Sequence, residues 1–310
     1  MLQQINQTGY GLTLGVHSRI QAFADTVFRN SIAGNTYINR NMVGAVVGVN
    51  PFGGRGLSGT GPKAGGPNYL FRFSTTVPPT PCDQPYLIDF SDSYAIDPVL
   101  IDNAITALSD WHCVSIDNRL IKLKQCNPQT LSRFDAMAIE KLSNPVRLPG
   151  PTGEDNQLSL LARGAMVLVI REQDPIDVAE QQIICALLCG CSIIMAADRS
   201  HWLALERMRE RYQQAEIPAL LLQLVPIEGL NSIGQNNRIE GVIANSLNTD
   251  SSGLRQVMAN RTGSIIPLIE WPEDSTGYHY HWLLWFLSER TKTENLVARG
   301  GNTQLFNLQD

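Results

Sequence analysis

The chain has 310 residues, 43% hydrophobic and 17% charged, which is one large domain or two ordinary ones with enough apolar material for a sizeable core. Its formal net charge of −5 excludes a general nucleic-acid surface, which needs clustered Lys and Arg to neutralise phosphates. No cationic run leads an apolar segment at the start and no apolar run approaches about eighteen residues, so the expectation is no signal peptide, no membrane span and a cytoplasmic location.

In chain order, residues 17–30 carry a helical pattern, with Ile20, Phe23, Ala24, Val27 and Phe28 on one face and Ser18 as its cap. Thr36-Tyr37-Ile38 reads as a short strand. The stretch from Val43 to Pro67 then holds nine glycines and three prolines in twenty-five residues, which no ordinary helix or strand tolerates. Such a loop lets backbone amides point at an anion. Residues 70–77 alternate and are strand-prone, and Pro78-Pro79-Thr80-Pro81 with Pro85 marks a linker over 78–85.

Beyond the linker, residues 97–109 and 129–142 read as helices, and Leu148 to Gly153 as a turn cluster. Strands are expected at 165–170, 192–195, 219–225, 241–244 and 264–269, with helices at 175–189 (closed by Gly190), 201–215 and 251–260. Continuous apolar strands alternating with helices imply a parallel sheet covered on both faces, a Rossmann-like α/β arrangement.

Several motifs carry less than they suggest. Gly54-Arg55-Gly56-Leu57-Ser58-Gly59 satisfies a dinucleotide fingerprint, but more glycines and prolines follow where a helix should open, and residues 74–81 contain no acid to read a ribose. The six cysteines, Cys82, Cys113, Cys126, Cys185, Cys189 and Cys191, match no disulfide or zinc spacing; the last three read as small buried hydrophobes. His279-x-His281 shares one face only if strand-borne and lacks a nearby Cys or acid, so no metal is expected. Glu206 to Arg211 reads as a solvated charged helix face with i,i+4 pairs.

The glycine loop, together with Ile5 to Arg19 and Asn35-Thr36-Tyr37-Ile38-Asn39-Arg40-Asn41, resembles the end of the L-glutamate γ-semialdehyde dehydrogenase (Δ1-pyrroline-5-carboxylate dehydrogenase) domain of the bifunctional PutA family, in the aldehyde dehydrogenase superfamily. Leu148-Pro149-Gly150-Pro151-Thr152-Gly153-Glu154-Asp155-Asn156 and the run Asn295 to Leu305 resemble the C-terminal domain of that family. Asn50 and Arg55 depart from the Gln and Glu, and Arg299 from the small residue, that the resemblance leads one to expect.

The resemblance implies an α/β chain. Residues 1–77 would be an incomplete aldehyde dehydrogenase catalytic domain ending in its anchor loop and β-flap, and residues 86–310 a Rossmann-like lid domain, a degenerate relative of the dehydrogenase nucleotide domain. It implies that the backbone amides of Gly44 and Ala45 hold the substrate carboxylate, and that Phe52 lines the aldehyde tunnel. In the second part it sets Gln173, Ala196 and Glu270-Trp271-Pro272 at positions of an oxyanion-stabilising Asn, a ribose-contacting Lys and a catalytic base followed by glycines. Ala cannot donate to a ribose, and Trp removes the close approach that Gly permits, so no cofactor is expected here; NAD belongs to the parent enzyme. A dehydrogenase also needs a thiolate nucleophile, yet no cysteine precedes Cys82. The chain is thus expected to be a C-terminal fragment, inactive alone, whose partner is the remaining dehydrogenase and whose substrate in the complete enzyme is L-glutamate γ-semialdehyde. The alternative is a stand-alone module that docks on a separate, truncated dehydrogenase.

Overall fold

The computed structural model describes residues 1–73, 97–128, 136–230, 232, 235–245, 252–271 and 280–297. The first part holds α1 (Leu2–Gln7), β1 (Tyr10–Gly11), β2 (Thr13–Val16), α2 (Gln21–Asn30), β3 (Asn35–Ile38) and β4 (Arg55–Gly56). Helix α2 starts later than its apolar pattern suggests. The side chain of Asn39 accepts from the N–H of Ser18 and donates to its carbonyl, both at 2.9 Å, and the Ser18 hydroxyl accepts from the N–H of Ile20. These bonds hold Ser18 in a turn ahead of the helix. Ala24 is buried and packs with Val16 and Ile38, whereas Ile20 and Phe23 are 67% and 53% exposed.

The strand expected over 70–77 is not present where it is described: Tyr69–Phe73 is a 3₁₀ turn, and 74–77 lie outside the described residues. The Tyr69 N–H bonds to Gly66 O, the Arg72 guanidinium donates to Gly61 O at 3.0 Å, and Tyr69 and Phe73 meet edge to face, so this segment folds onto its own loop. The proline-rich stretch 78–85 also lies outside the described residues.

Next come α3 (Pro98–Cys113), α4 (Ile116–Cys126) and α5 (Ala136–Ser143). Helix α3 begins at Pro98 behind an Asp97 side chain that accepts from the Val99 N–H, a standard proline-and-aspartate start. Helix α4, capped by Ser115, had no counterpart among the expected elements, its polar composition hiding an inner stripe of Arg119, Leu123 and Cys126. Of the helix expected over 129–142, residues 129–135 lie outside the described residues.

Strands β5 (Val146–Leu148) and β6 (Glu154–Ala162) lead into β7 (Ala165–Ile170), α6 (Ile176–Cys189), β8 (Ser192–Ala197), α7 (Trp202–Gln214), β9 (Leu222–Pro226), β10 (Ile239–Asn245), α8 (Ser252–Ala259), β11 (Leu268–Trp271), α9 (Tyr280–Leu283) and β12 (Leu287–Asn295). Strands β7 to β11 form one wholly parallel sheet in the order β11-β10-β7-β8-β9. Alternate residues face opposite cores: Met166, Leu168 and Ile170 join α6 and α7, while Ala165, Val167 and Val169 join Leu254 of α8. Both faces are covered, as the continuous apolar strands require. Helix α6 is buried over most of its length and ends at Gly190 with φ +92°, the left-handed cap glycine favours.

Two strands start later than expected. Ala219–Leu221 is a 3₁₀ turn before β9, and 264–267 precede β11, with Gly263 left-handed and Pro267 unable to donate to a ladder. His281 sits in a helical turn, so the strand spacing that would let it share a face with His279 does not apply; His279 lies outside the described residues.

A second five-stranded sheet has the order β2-β3-β12-β6-β5. It joins the first forty residues to the second part of the chain. Strand β12 runs parallel to β3 and antiparallel to β6 over nine residue pairs. Its central residues Glu289, Arg290, Thr291, Thr293 and Glu294 are buried although none is apolar.

Candidate functional site

The glycine loop leaves β3 at Ile38 and is exposed from Asn41 to Gly48. Gly44 and Gly48 have φ of +80° and +78° with open space where a Cβ would stand, so glycine is required there by conformation rather than crowding. Among the described residues the amides of Gly44 and Ala45 donate to no other group. Past this outer turn the chain is closely tied. Asn50 N–H bonds to Val46 O at 2.8 Å, Gly48 N–H to Gly65 O at 2.9 Å, and Phe52 and Ala64 exchange both backbone bonds at 3.0 and 2.9 Å. Gly44, Ala45 and Phe52 therefore share one loop, with the two amides on its outer turn and the exposed Phe52 ring at the start of its closed base.

The fingerprint-like run 54–59 opens no helix. Arg55 and Gly56 form β4, which pairs antiparallel with β1, and turns follow.

The base of the loop rests on a buried polar network that sequence reading did not anticipate. Asn50, 3% exposed, donates to Asn156 Oδ1 and Thr293 Oγ1, each at 2.9 Å, and accepts from Val46 N–H at 3.4 Å. Lys63, 2% exposed, donates from Nζ to Asn35 Oδ1 at 3.0 Å and to Gly53 O. Its backbone N–H bonds to Glu289 Oε2, whose other oxygen accepts from Asn68 at 2.7 Å. Thr291 Oγ1 completes the set by donating to Asn35 Oδ1 at 2.9 Å. Burial holds Lys63 down to about 7, helped by the positive charges of Arg55 and Arg290 and opposed by Glu289. The one local signal was Asn50 itself, a short amide where a longer one was expected; its partners lie 106 and 243 residues away.

The second part carries the other named residues. In the parallel sheet the strand order reverses between β7 and β10, where ligands of open α/β sheets usually bind. That crevice is occupied by the protein itself. Arg171, directly after β7, grips Asp174 with two bonds of 3.0 and 3.1 Å and donates to Asn245 O, at the end of β10, at 2.6 Å. His201 closes the turn through its Nε2, 3.0 Å from the carbonyls of Arg171 and Glu172. Gln173 is exposed on this turn, and Ala196 is fully buried inside β8. Trp271 is buried against Trp282 and Phe286, and Glu270 pairs with Arg255 at 2.5 Å.

Cys185, Cys189 and Cys191 are free, buried thiols raised above the usual range chiefly by burial, as small hydrophobes should be. Among the described residues no group of three or more His, Cys, Asp or Glu is placed to hold a metal, and no helix is long and apolar enough to cross a membrane. The charged face of α7 pairs Arg209 with Glu206 at i,i+3, and Arg211 instead reaches Glu180 of α6.

The aldehyde dehydrogenase family model matches residues 1–77. Bifunctional protein PutA of Salmonella typhimurium is 34% identical over 99% of this chain and 21% of its own length, and that of Rhizobium meliloti 34% identical over 98% and 22%. A 1-pyrroline-5-carboxylate dehydrogenase of Halalkalibacterium halodurans is 51% identical over 69 residues, 22% of this chain and 13% of that protein. A solved structure of PutA from Bradyrhizobium japonicum superposes with a TM-score of 0.49 at 20% identity, over 56% of this chain and 22% of that one. The chain spans about one-fifth of the length of the PutA relatives it matches along its whole length. Residues 1–77 thus match the aldehyde dehydrogenase family model, and nearly the whole chain is similar to a segment of PutA proteins.

Proposed function

We propose that this chain supplies the substrate-anchoring loop and a non-catalytic, Rossmann-like lid unit to a PutA-type enzyme that oxidises L-glutamate γ-semialdehyde to glutamate with NAD. The observation that carries the reading is the outer turn of the loop. Two successive amides, Gly44 and Ala45, are exposed without an internal acceptor, on a loop whose base is fastened by buried bonds. Amides held in this way suit a carboxylate, because no reorganisation is needed when the anion arrives. Phe52, exposed on the same loop, would offer an apolar surface for the aldehyde end of the same substrate.

In this reading the chain performs no oxidation by itself. Residues 1–77 contain no cysteine to attack a carbonyl, and the three thiols at 185–191 are buried in the sheet's core. The Rossmann-like unit does not fit a dinucleotide either: Arg171 bridges the switch-point crevice, Ala196 offers no donor, and Trp271 fills space beside the sheet. NAD and the nucleophile are then provided by the remainder of a dehydrogenase, covalently joined or separate.

The test is NADH formation from L-glutamate γ-semialdehyde, measured for the purified 310-residue chain and for the native protein captured with an antibody against the exposed face of α7, residues 203–214. Activity in the captured material and none in the chain supports the reading. Turnover by the chain alone, or captured material that holds this chain without activity, sinks it.

A further inference from the structure

Resting on that functional reading, we propose that Lys63 is a positioning residue of the anchor loop: its side-chain nitrogen ties Gly53 O to Asn35 and thereby sets where Phe52 and the amides ahead of it stand.

The geometry is a closed clamp. Lys63 Nζ donates to both Asn35 Oδ1 and Gly53 O, while Asn35 Nδ2 donates to the same Gly53 O at 3.1 Å and to Leu12 O at 2.9 Å. The nitrogen lies against Gly34, where a Cβ would stand 2.9 Å from Nζ and 2.3 Å from Gly53 O. Gly53 follows Phe52, and Ala64 follows Lys63, so the two bonds between Phe52 and Ala64 sit immediately beside the clamp. One side chain thus links β3, under the loop, to both sides of the loop's closed base.

The chemistry of the acceptors distinguishes this lysine from an ordinary ion-paired one. Both Nζ acceptors are neutral oxygens, and the neighbouring carboxylate of Glu289 is committed to the backbone N–H of Lys63 and to Asn68. A neutral amine has two N–H groups, which those two oxygens match. The charged groups that bear on it are Glu289 and Arg290 from β12 and Arg55 from β4. A methionine in its place fills similar volume, and each oxygen keeps a second donor: Asn35 Oδ1 from Thr291, and Gly53 O from Asn35. Folding therefore survives the substitution while the loop loosens.

The test uses Lys63→Met in the 310-residue chain and in the complete dehydrogenase that contains it. Hydrogen exchange of peptides across 43–56 in the chain is expected to quicken by about tenfold while β7 and β8 stay protected. In the complete enzyme KM for the aldehyde is expected to rise about tenfold with kcat nearly unchanged, the signature of lost substrate binding. The wild-type KM should vary with pH near neutrality, and the variant's should not. Unchanged exchange overturns the proposal whatever the kinetics, as does quickened exchange with unchanged KM. A wild-type complete enzyme that oxidises no aldehyde overturns the functional reading instead, and with it the role assigned to the clamp.

Discussion

Asn50 and Asn156 are separated by 106 residues in sequence and joined by a buried 2.9 Å hydrogen bond between their side chains. The bond fastens the glycine loop to β6, and the companion bond from Asn50 to Thr293 fastens it to β12. The glycine loop and strands β6 and β12 are therefore one mechanical piece: the loop's base is built from residues far apart in the chain.

Asn50→Ala removes both donors and leaves Asn156 Oδ1 buried without its loop partner. An unsatisfied buried polar group costs about 1–3 kcal/mol, so the unfolding free energy from urea titration should fall by that amount and the midpoint should move to lower urea. A substitution at exposed Val47 should leave the midpoint nearly unchanged.

Arg171→Ala strips the guanidinium partner from Asp174 in a buried site and removes the guanidinium bond to Asn245 O. Breaking one side of a buried ion pair typically costs about 3–5 kcal/mol, which thermal unfolding would register as a large fall in Tm. Combining it with Asp174→Ala should recover part of that loss, since the uncompensated charge is then gone. A double variant no better than Arg171→Ala would mean that the bond to Asn245, rather than the pair, holds the turn.

Stability should depend on pH through Lys63. Its folded-state value of about 7 lies below that of an unfolded lysine, so between those two values the unfolded chain binds more protons than the folded one. Stability rises with pH across that window, by at most about 1.4 kcal/mol per unit for one proton, and the penalty is fully present below about pH 7. The difference in unfolding free energy between wild type and Lys63→Met should therefore shift towards wild type from pH 7 to 9. A pH-independent difference would show that the lysine titrates alike in both states.

Thiol labelling should discriminate sharply. Cys113 is exposed, whereas Cys126, Cys185, Cys189 and Cys191 are buried and their thiols are raised by desolvation. Of these five, iodoacetamide under native conditions should modify Cys113 first, and the others only after denaturant is added. Peptide mass spectrometry with early labelling at Cys189 or Cys191 would contradict the packed sheet.

Gly34→Ala places a Cβ 2.3 Å from Gly53 O, a backbone atom that cannot swing aside. The expected result is a destabilised chain with faster exchange across 50–66, measured by urea unfolding and hydrogen exchange against wild type.

The parallel sheet was legible because its strands are uniformly apolar and its main helices end in recognisable ways, Gly190 above all. The glycine loop was legible for the opposite reason: so many glycines and prolines exclude regular structure. Helix α4 was missed because its buried stripe is sparse, and the segment at 70–73 was misread because alternating aromatics in a short stretch fit a strand and a 3₁₀ turn equally well. Strand β12 was invisible, since Ser288 to Asn295 contains no apolar residue and only its neighbours reveal that it is buried.

The sequence by itself determined the fold class, the family resemblance and the place of the glycine loop, because apolar periodicity, glycine content and motif spacing are local properties. Only the tertiary structure decided that β12 inserts between β3 and β6, that Lys63 and Asn50 hold the loop from below, and that Arg171 closes the switch-point crevice. Those outcomes depend on which buried polar groups find partners more than a hundred residues away or across a sheet's edge. The local pattern of a chain does not encode such pairings; the low-dielectric interior, which makes an unpaired polar group costly, selects them.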